Sequence, residues 1–294
     1  MQKSNYKHYV HLHFLVFIAG FTAILGELII NSSEAIVWHR MIIASLLTAI
    51  FMIISKKSFK INLNLFLKYS LLGLIIALHW ITFFEAIEKS NISLTLAMFS
   101  TAAFFTSLLE PIFFKRKIIK YELFLGILVI IGVLIIFNAE FKYVTGIFLG
   151  ILSALLASLF SVLNGVLIKK DNAYKISLYE FISGVIFISL YLYFTSDLSL
   201  LLVDDFFSLN YLYIFILGSV CTAYAFIASV YLLKFITPYS LVLSYNLEPV
   251  YGVLLALFFF GNDEKMSFPF YLGFLLILIS VFLNMYIKNN TNNI

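Results

Sequence analysis

The chain alternates long apolar runs with short polar turns almost without interruption. Ten runs, at residues 10–30, 33–54, 66–88, 92–114, 121–138, 145–168, 175–196, 208–234, 238–260 and 268–287, match the length of a membrane crossing, for which about 20 apolar residues suffice. In the first half the breaks between them are Asn31-Ser32-Ser33, residues 55–64 and Lys89-Ser90-Asn91. Connections this short make successive helices antiparallel neighbours. The pattern predicts an all-α integral membrane protein of ten transmembrane helices. The longest connector, residues 196–207, is too short for a soluble domain, so any activity has to lie within the bilayer.

The order of runs and turns recurs along the chain. Ile36–Leu47 can be laid over Ile176–Phe187, which sets Arg40 opposite Glu180; His79–Leu96 can be laid near Tyr224–Leu243, with Lys89 over Lys234 and Ser93 over Pro238. Identities are few, and the regular succession of helix lengths and loops carries the signal. Residues 10–138 and 145–287 are read as two five-helix repeats joined by a short polar junction. Five spans is an odd number, so the second copy enters the bilayer inverted. That is a plan of secondary transporters, with the substrate near the midplane between the halves.

Composition and charge narrow the class further. Of 294 residues, 63% are hydrophobic and 12% charged, whereas a soluble domain carries about 25% charged residues. A nucleotide-binding domain is excluded, and nucleic acid is not an expected partner. The net charge of +4 reflects orientation: with the N-terminus inside, fifteen of the 19 Lys and Arg residues, from Lys3 and Lys7 through Lys115-Arg116-Lys117 to Lys288, fall in cytoplasmic segments. Only Lys89, Lys142 and Lys265 fall outside. Over short loops such a bias sets topology, so both termini are expected in the cytoplasm. The apolar run after Lys7 lacks a small-residue cleavage site and reads as a retained first helix. Cys221 is the sole cysteine, which excludes an intrachain disulfide and a cysteine metal cluster.

Polar side chains inside hydrocarbon are costly and face a bundle interior or a polar path. Helix three places His79 and Trp80 near its middle, with Glu85 on another face. Helix four carries Thr106, Ser107 and Glu110 on one face, then Pro111, which removes a backbone donor. Glu110 also has a structural alternative, as an interfacial acid paired with the basic loop at Lys115. Helix nine repeats the arrangement: Ser244 and Tyr245 precede Glu248, Pro249 follows it, and Asn246 falls on nearly the opposite side. Glu248 stands far from the loop lysines and is the leading candidate for binding substrate or a proton. Arg40 on helix two reads first as the partner of Glu27 in the same hairpin, next as a side chain that snorkels to the interface, and otherwise as a substrate contact. Glu180 reads as a paired or near-surface acid, and Tyr224 on helix eight is a lesser candidate. Pro249 and Pro111 are expected hinges. Helix six bears small residues at a spacing of four (Gly146, Gly150, Ala154, Ser158 and Ser153, Ala157, Ser161, Gly165), a helix-packing signal.

The runs SNISLTLAMFSTAAFFTSLLEPIFFKRKI (90–118), YELFLGILVIIGVLIIF (121–137), FITPYSLVLSYNLEPVYGVLLALFFFG (235–261) and YLGFLLILISVFL (271–283) resemble the drug/metabolite transporter superfamily, EamA type. The resemblance covers nearly the whole chain. It implies efflux or exchange of small metabolites or amino acids across a bacterial cytoplasmic (inner) membrane, through a cavity formed by helices one, three, four, six, eight and nine. By position, Trp80, the segment from Thr101 to Glu110, Tyr224 and Ser244 to Pro249 would face that cavity. Two departures stand out. Ala102 and Ala103 occupy the place where the family often has a mid-helix proline, so a hinge at Pro249 is expected to lack a symmetric partner. The Gly-Glu that often ends these helices is replaced at Arg116 and at residues 262–264.

The H-E-x-x-H and G-x-S-x-G patterns are absent, so an intramembrane enzyme is not expected, nor is a metal or other cofactor. The reading is a secondary-active transporter that exports small metabolites or amino acids by alternating access, with proton coupling through Glu248 and His79 as a further expectation. A flippase for lipids or polyprenyl-phosphate-linked solutes, and a passive facilitator, are the alternatives. The expected partners are a small-molecule substrate and the lipid bilayer, with the chain a monomer or homodimer.

Overall fold

A computed structural model describes residues 2–117, 119–195 and 206–291; most of the 196–207 connector lies outside the described residues. Every regular element among them is helical: α1 (Gln2–Leu28), α2 (Ser33–Ile54), α3 (Leu63–Glu88), α4 (Ile92–Phe99), α5 (Ala102–Phe114), α6 (Lys120–Ala139), α7 (Val144–Leu167), α8 (Ala173–Thr195), α9 (Leu209–Gly218), α10 (Ala225–Leu232), α11 (Pro238–Tyr245), α12 (Glu248–Phe260) and α13 (Phe268–Thr291). Eight stretches are long and apolar enough to cross a membrane, three of them built from consecutive shorter helices. The apolar parts of α6 and α13, Phe124–Ala139 and Phe268–Leu283, are shorter.

The short turns work because polar side chains close them. Ser32, Asn62, Asn91, Ser208 and Thr237 each accept a hydrogen bond from the backbone N–H three residues on, which satisfies one of the donors a helix start leaves free. Successive spans therefore reverse direction. Contacts at one end join the turns there: Lys175 Nζ donates to the Lys60 carbonyl, and His8 stacks on Phe235. At the other end Ile30 N donates to Asn210 Oδ1.

Helix α6 packs on α13, α2 on α8, α4 on α12 and α5 on α11, while α3 lies against both α7 and α8. Between apolar helices in lipid, close approach of backbones replaces the hydrophobic effect as the source of association. The glycines of α7 serve this packing inside the bundle: side chains added at Gly146, Gly150 and Gly165 would meet Ser90, Met98 and Pro238.

Two spans are interrupted near their middles, and both interruptions face the centre. The span Ile92–Phe114 breaks at Ser100-Thr101, between α4 and α5, and the span Pro238–Glu264 at Asn246-Leu247, between α11 and α12. A break beside Pro249 thus has a counterpart in a span that carries Ala102 and Ala103 instead of a proline beside its break. The break between α4 and α5 carries no proline; there Ser100 Oγ donates to Leu96 O at 3.1 Å and Thr101 Oγ1 to Met98 O at 2.7 Å, sharing carbonyls that the Ser100 and Thr101 backbone N–H groups also use and competing with the helical ladder. Pro249 sits in the first turn of α12, where its missing N–H costs nothing. Pro111 lies inside α5 without interrupting it.

Candidate functional site

A cavity of ≈ 140 Å³ occupies the centre of the bundle, room for several waters. Helices α1, α3, α4, α5, α7, α10, α11 and α12 all contribute to its wall, and α2 adds Arg40. Arg40 is the largest fully buried side chain of the described residues. Its Cζ stands 4.0 Å from the Trp80 ring centroid, and its Nε donates to Thr222 Oγ1 at 2.9 Å. Thr222 lies in a π-helical turn, Ser219–Tyr224, and donates in its turn to Leu217 O at 2.7 Å. Nη1 of Arg40 has no hydrogen-bond partner. The expected pair with Glu27 is not made: the guanidinium points into the bundle, onto Trp80, because a stacking face is available there for its weakly hydrated plane.

Glu248 opens α12 directly after the break, buried and on the cavity wall. It lies within electrostatic range of Arg40 without an ion pair between them. Tyr245 donates to Ser229 Oγ at 2.7 Å, since the Ser229 hydroxyl already donates to Ala225 O. His79 is more tightly held: its Nδ1 is 2.8 Å from Ser153 Oγ and 3.0 Å from Ser153 O, and its ring packs between Phe99 and Phe160. Asn246 is not on the far side, as an unbroken helix would have placed it. The break rotates it onto the cavity wall, where its Nδ2 donates to Ser100 O at 3.0 Å and ties one interrupted span to the other.

This arrangement, two interrupted spans meeting at a charged central cavity, is one that membrane transporters share. The sequence model of the EamA-like transporter family matches residues 9–138 and again residues 144–286. The chain belongs to this family. No curated protein matches it. A solved crystal structure, described only as that of a protein, is similar over 95% of this chain and 97% of its own, with a TM-score of 0.69 and 12% identity; at that identity the likeness shows the fold alone. The chain is accordingly a multi-pass membrane transporter of the EamA-like family.

Several sequence candidates of this EamA-like chain lie off the cavity. Thr106, Ser107 and Ser244 donate to carbonyls of their own helices. Tyr224 is half-exposed and its hydroxyl is 2.9 Å from His11 Nε2. Glu110 takes Arg116 Nε at 3.1 Å on one oxygen and the Tyr239 N–H at 2.6 Å on the other, so it caps the start of α11. Glu264 does the same at the other end of the bundle, accepting from Ile92 N at 3.0 Å and Ser93 N at 2.9 Å at the start of α4. Glu85 meets Lys89 at 3.4 Å.

Glu180 departs furthest from expectation. It is fully buried rather than near the surface, and neither carboxylate oxygen has a hydrogen bond of ordinary length. Asn164 lies beside it and lines the cavity. Asn164, Asn246, Phe160 and Phe226 on the cavity wall were not singled out by sequence reasoning as site residues. Asn164 left a usable signal, as the one amide on the small-residue face of α7. Two phenylalanines among 33 left none.

Proposed function

We propose that this protein is a secondary-active exporter of small zwitterionic metabolites, amino acids among them, working by alternating access in a bacterial cytoplasmic membrane. One observation carries the reading: Arg40 and Glu248, from different halves of the chain, face one cavity within electrostatic range and are not bridged. A guanidinium suits a solute carboxylate, a carboxylate suits an ammonium, and Trp80, Phe160 and Phe226 offer the apolar remainder a surface. The starts of α5 and α12, both at the breaks, add positive helix dipole ends towards the centre.

Residues 10–138 and 145–287 would be the two inverted repeats. Support comes from the pairing of α6 with α13, of α2 with α8, and of the span α4–α5 with the span α11–α12, first half against second, each joining a span to its counterpart five spans on, and from the reciprocal caps of Glu110 and Glu264. Rocking of one repeat against the other would expose the cavity alternately, with N- and C-termini on the lysine-rich cytoplasmic side and the pH gradient as driving force.

The test is counterflow in proteoliposomes, using a mixture of radiolabelled amino acids as probe. Wild-type protein is expected to exchange a subset of them, and Arg40→Ala and Glu248→Gln to lose that exchange. If wild-type vesicles exchange none, the reading fails; movement of a polyprenyl-phosphate-linked sugar in the same vesicles would replace it with a flippase.

A further inference from the structure

We infer that Glu180 is a proton-binding site of this transporter, reached from the lysine-bearing end of the bundle by way of Tyr69 and Asp171 and screened from the central cavity by Asn164. Glu180 stands seven residues past the start of α8 at Ala173, on the half of that helix towards the Asp171 turn. It is 0% exposed and neither of its oxygens makes a hydrogen bond of ordinary length; the Asn164 amide beside it is the polar group that interacts with it. A carboxylate cannot stay ionised and unpartnered in such surroundings without large cost. A group of this kind either binds a cation or is removed by selection for stability.

The surroundings favour a proton over a metal ion. Among the described residues no group of three His, Cys, Asp or Glu is gathered anywhere, whereas metal cations demand several oxygen ligands. The helices packed most extensively against α8 are α2, α3 and α10, and α7 reaches Glu180 through the uncharged amide of Asn164. From α3, Tyr69 lies in electrostatic range of Glu180. From α2, Arg40 is engaged with Thr222 and Trp80, and the His39 ring stands edge-on to Trp38. From α10 comes Phe226, packed on Phe181. Tyr69 is therefore the titratable neighbour that connects Glu180 to anything. Its hydroxyl donates to Asp171 Oδ2 at 3.2 Å, and Asp171 meets Lys175 Nζ at 2.9 Å, at the bundle end where Lys175 also reaches Lys60 O.

A polar sequence thus runs from that surface through Asp171, Tyr69, Glu180 and Asn164 to the cavity, with gaps on either side of Glu180 that a water or a small rotation closes. Binding one proton converts the carboxylate to the neutral acid, and no other bond changes. Position supports a role in alternation: Arg40 stands seven residues past Ser33 on α2, as Glu180 does past Ala173 on α8. Arg40 faces the cavity in this conformation while Glu180 is sealed from it. Exchange of those two environments on rocking would pass the proton across.

The inference rests on the transport reading above, and its experiment separates the two. Infrared difference spectroscopy of the reconstituted full chain, which needs no substrate, is expected to show a protonated-carboxyl band that titrates with pH and shifts in heavy water. Glu180→Gln should remove the band, and Tyr69→Phe should keep it but slow its exchange. In the amino-acid counterflow assay Glu180→Gln should retain gradient-free exchange and lose acceleration by an imposed pH gradient; Glu180→Asp should restore it. A band that survives Glu180→Gln, or a Gln variant accelerated as much as wild type, overturns the inference. Wild-type vesicles that exchange no amino acid overturn the transport reading alone, and the infrared result then still decides whether Glu180 takes up a proton.

Discussion

The guanidinium of Arg40 lies over the ring of Trp80, 4.0 Å from its centroid, in the wall of the central cavity. The plane and one donor are used while another is left over: the ring takes the face, Thr222 takes Nε, and Nη1 is left without a partner. Lysine could keep the charge but neither the plane nor the fork. A desolvated contact of this kind is worth about 2 kcal/mol. We expect Arg40→Lys to lower exchange at limiting substrate by ~10-fold or more, with the protein still folded by gel filtration. Wild-type exchange in that variant would remove Arg40 from the substrate site.

Glu110 and Glu264 are expected to matter for stability and not for substrate. Each carboxylate accepts backbone N–H groups at the start of a helix of the other half, and loss of a buried charged acceptor costs about 1–3 kcal/mol. Glu110→Ala and Glu264→Ala should each lower the thermal unfolding midpoint in detergent by several degrees. Glu248→Gln should leave that midpoint nearly unchanged while abolishing exchange.

Gly73 marks the closest approach of α3 to α8. A methyl group there would run into the Glu180 carbonyl oxygen and the Ser183 side chain, and backbone cannot yield as a flexible side chain does. Gly73→Ala should cost about 1–3 kcal/mol, read as a lower unfolding midpoint. Gly261 has open space around it but a φ of +58° with ψ at −115°, a conformation that L side chains rarely adopt, so Gly261→Ala should cost about 1–3 kcal/mol through backbone strain alone.

The Asn246 amide holds the two interruptions together through Ser100 O. Asn246→Asp keeps the shape and loses the donor, placing an acceptor against the carbonyl. It should be more damaging than Asn246→Ala, both to the unfolding midpoint and to exchange. Equal behaviour of the two variants would mean that the bridge is not used.

The sequence by itself determined the membrane class, the succession of apolar runs and turns, the family, and the special position of Glu248. These are local properties: in hydrocarbon every backbone hydrogen bond must close within a helix, so span length and polar turn can be read residue by residue. Partnerships across the bundle could not. In a chain with 63% hydrophobic residues most helices are apolar all round, and periodicity does not say which face meets which neighbour. Tertiary structure alone therefore decided that Arg40 turns from Glu27 to Trp80, that Glu110 caps α11, and that Glu180 is buried beside Asn164 with no hydrogen bond of ordinary length. It also decided the break beside Asn246. A helical wheel presumes an unbroken helix, and the unwound turn that carries Asn246 onto the cavity wall is held by Ser100, 146 residues away in the chain.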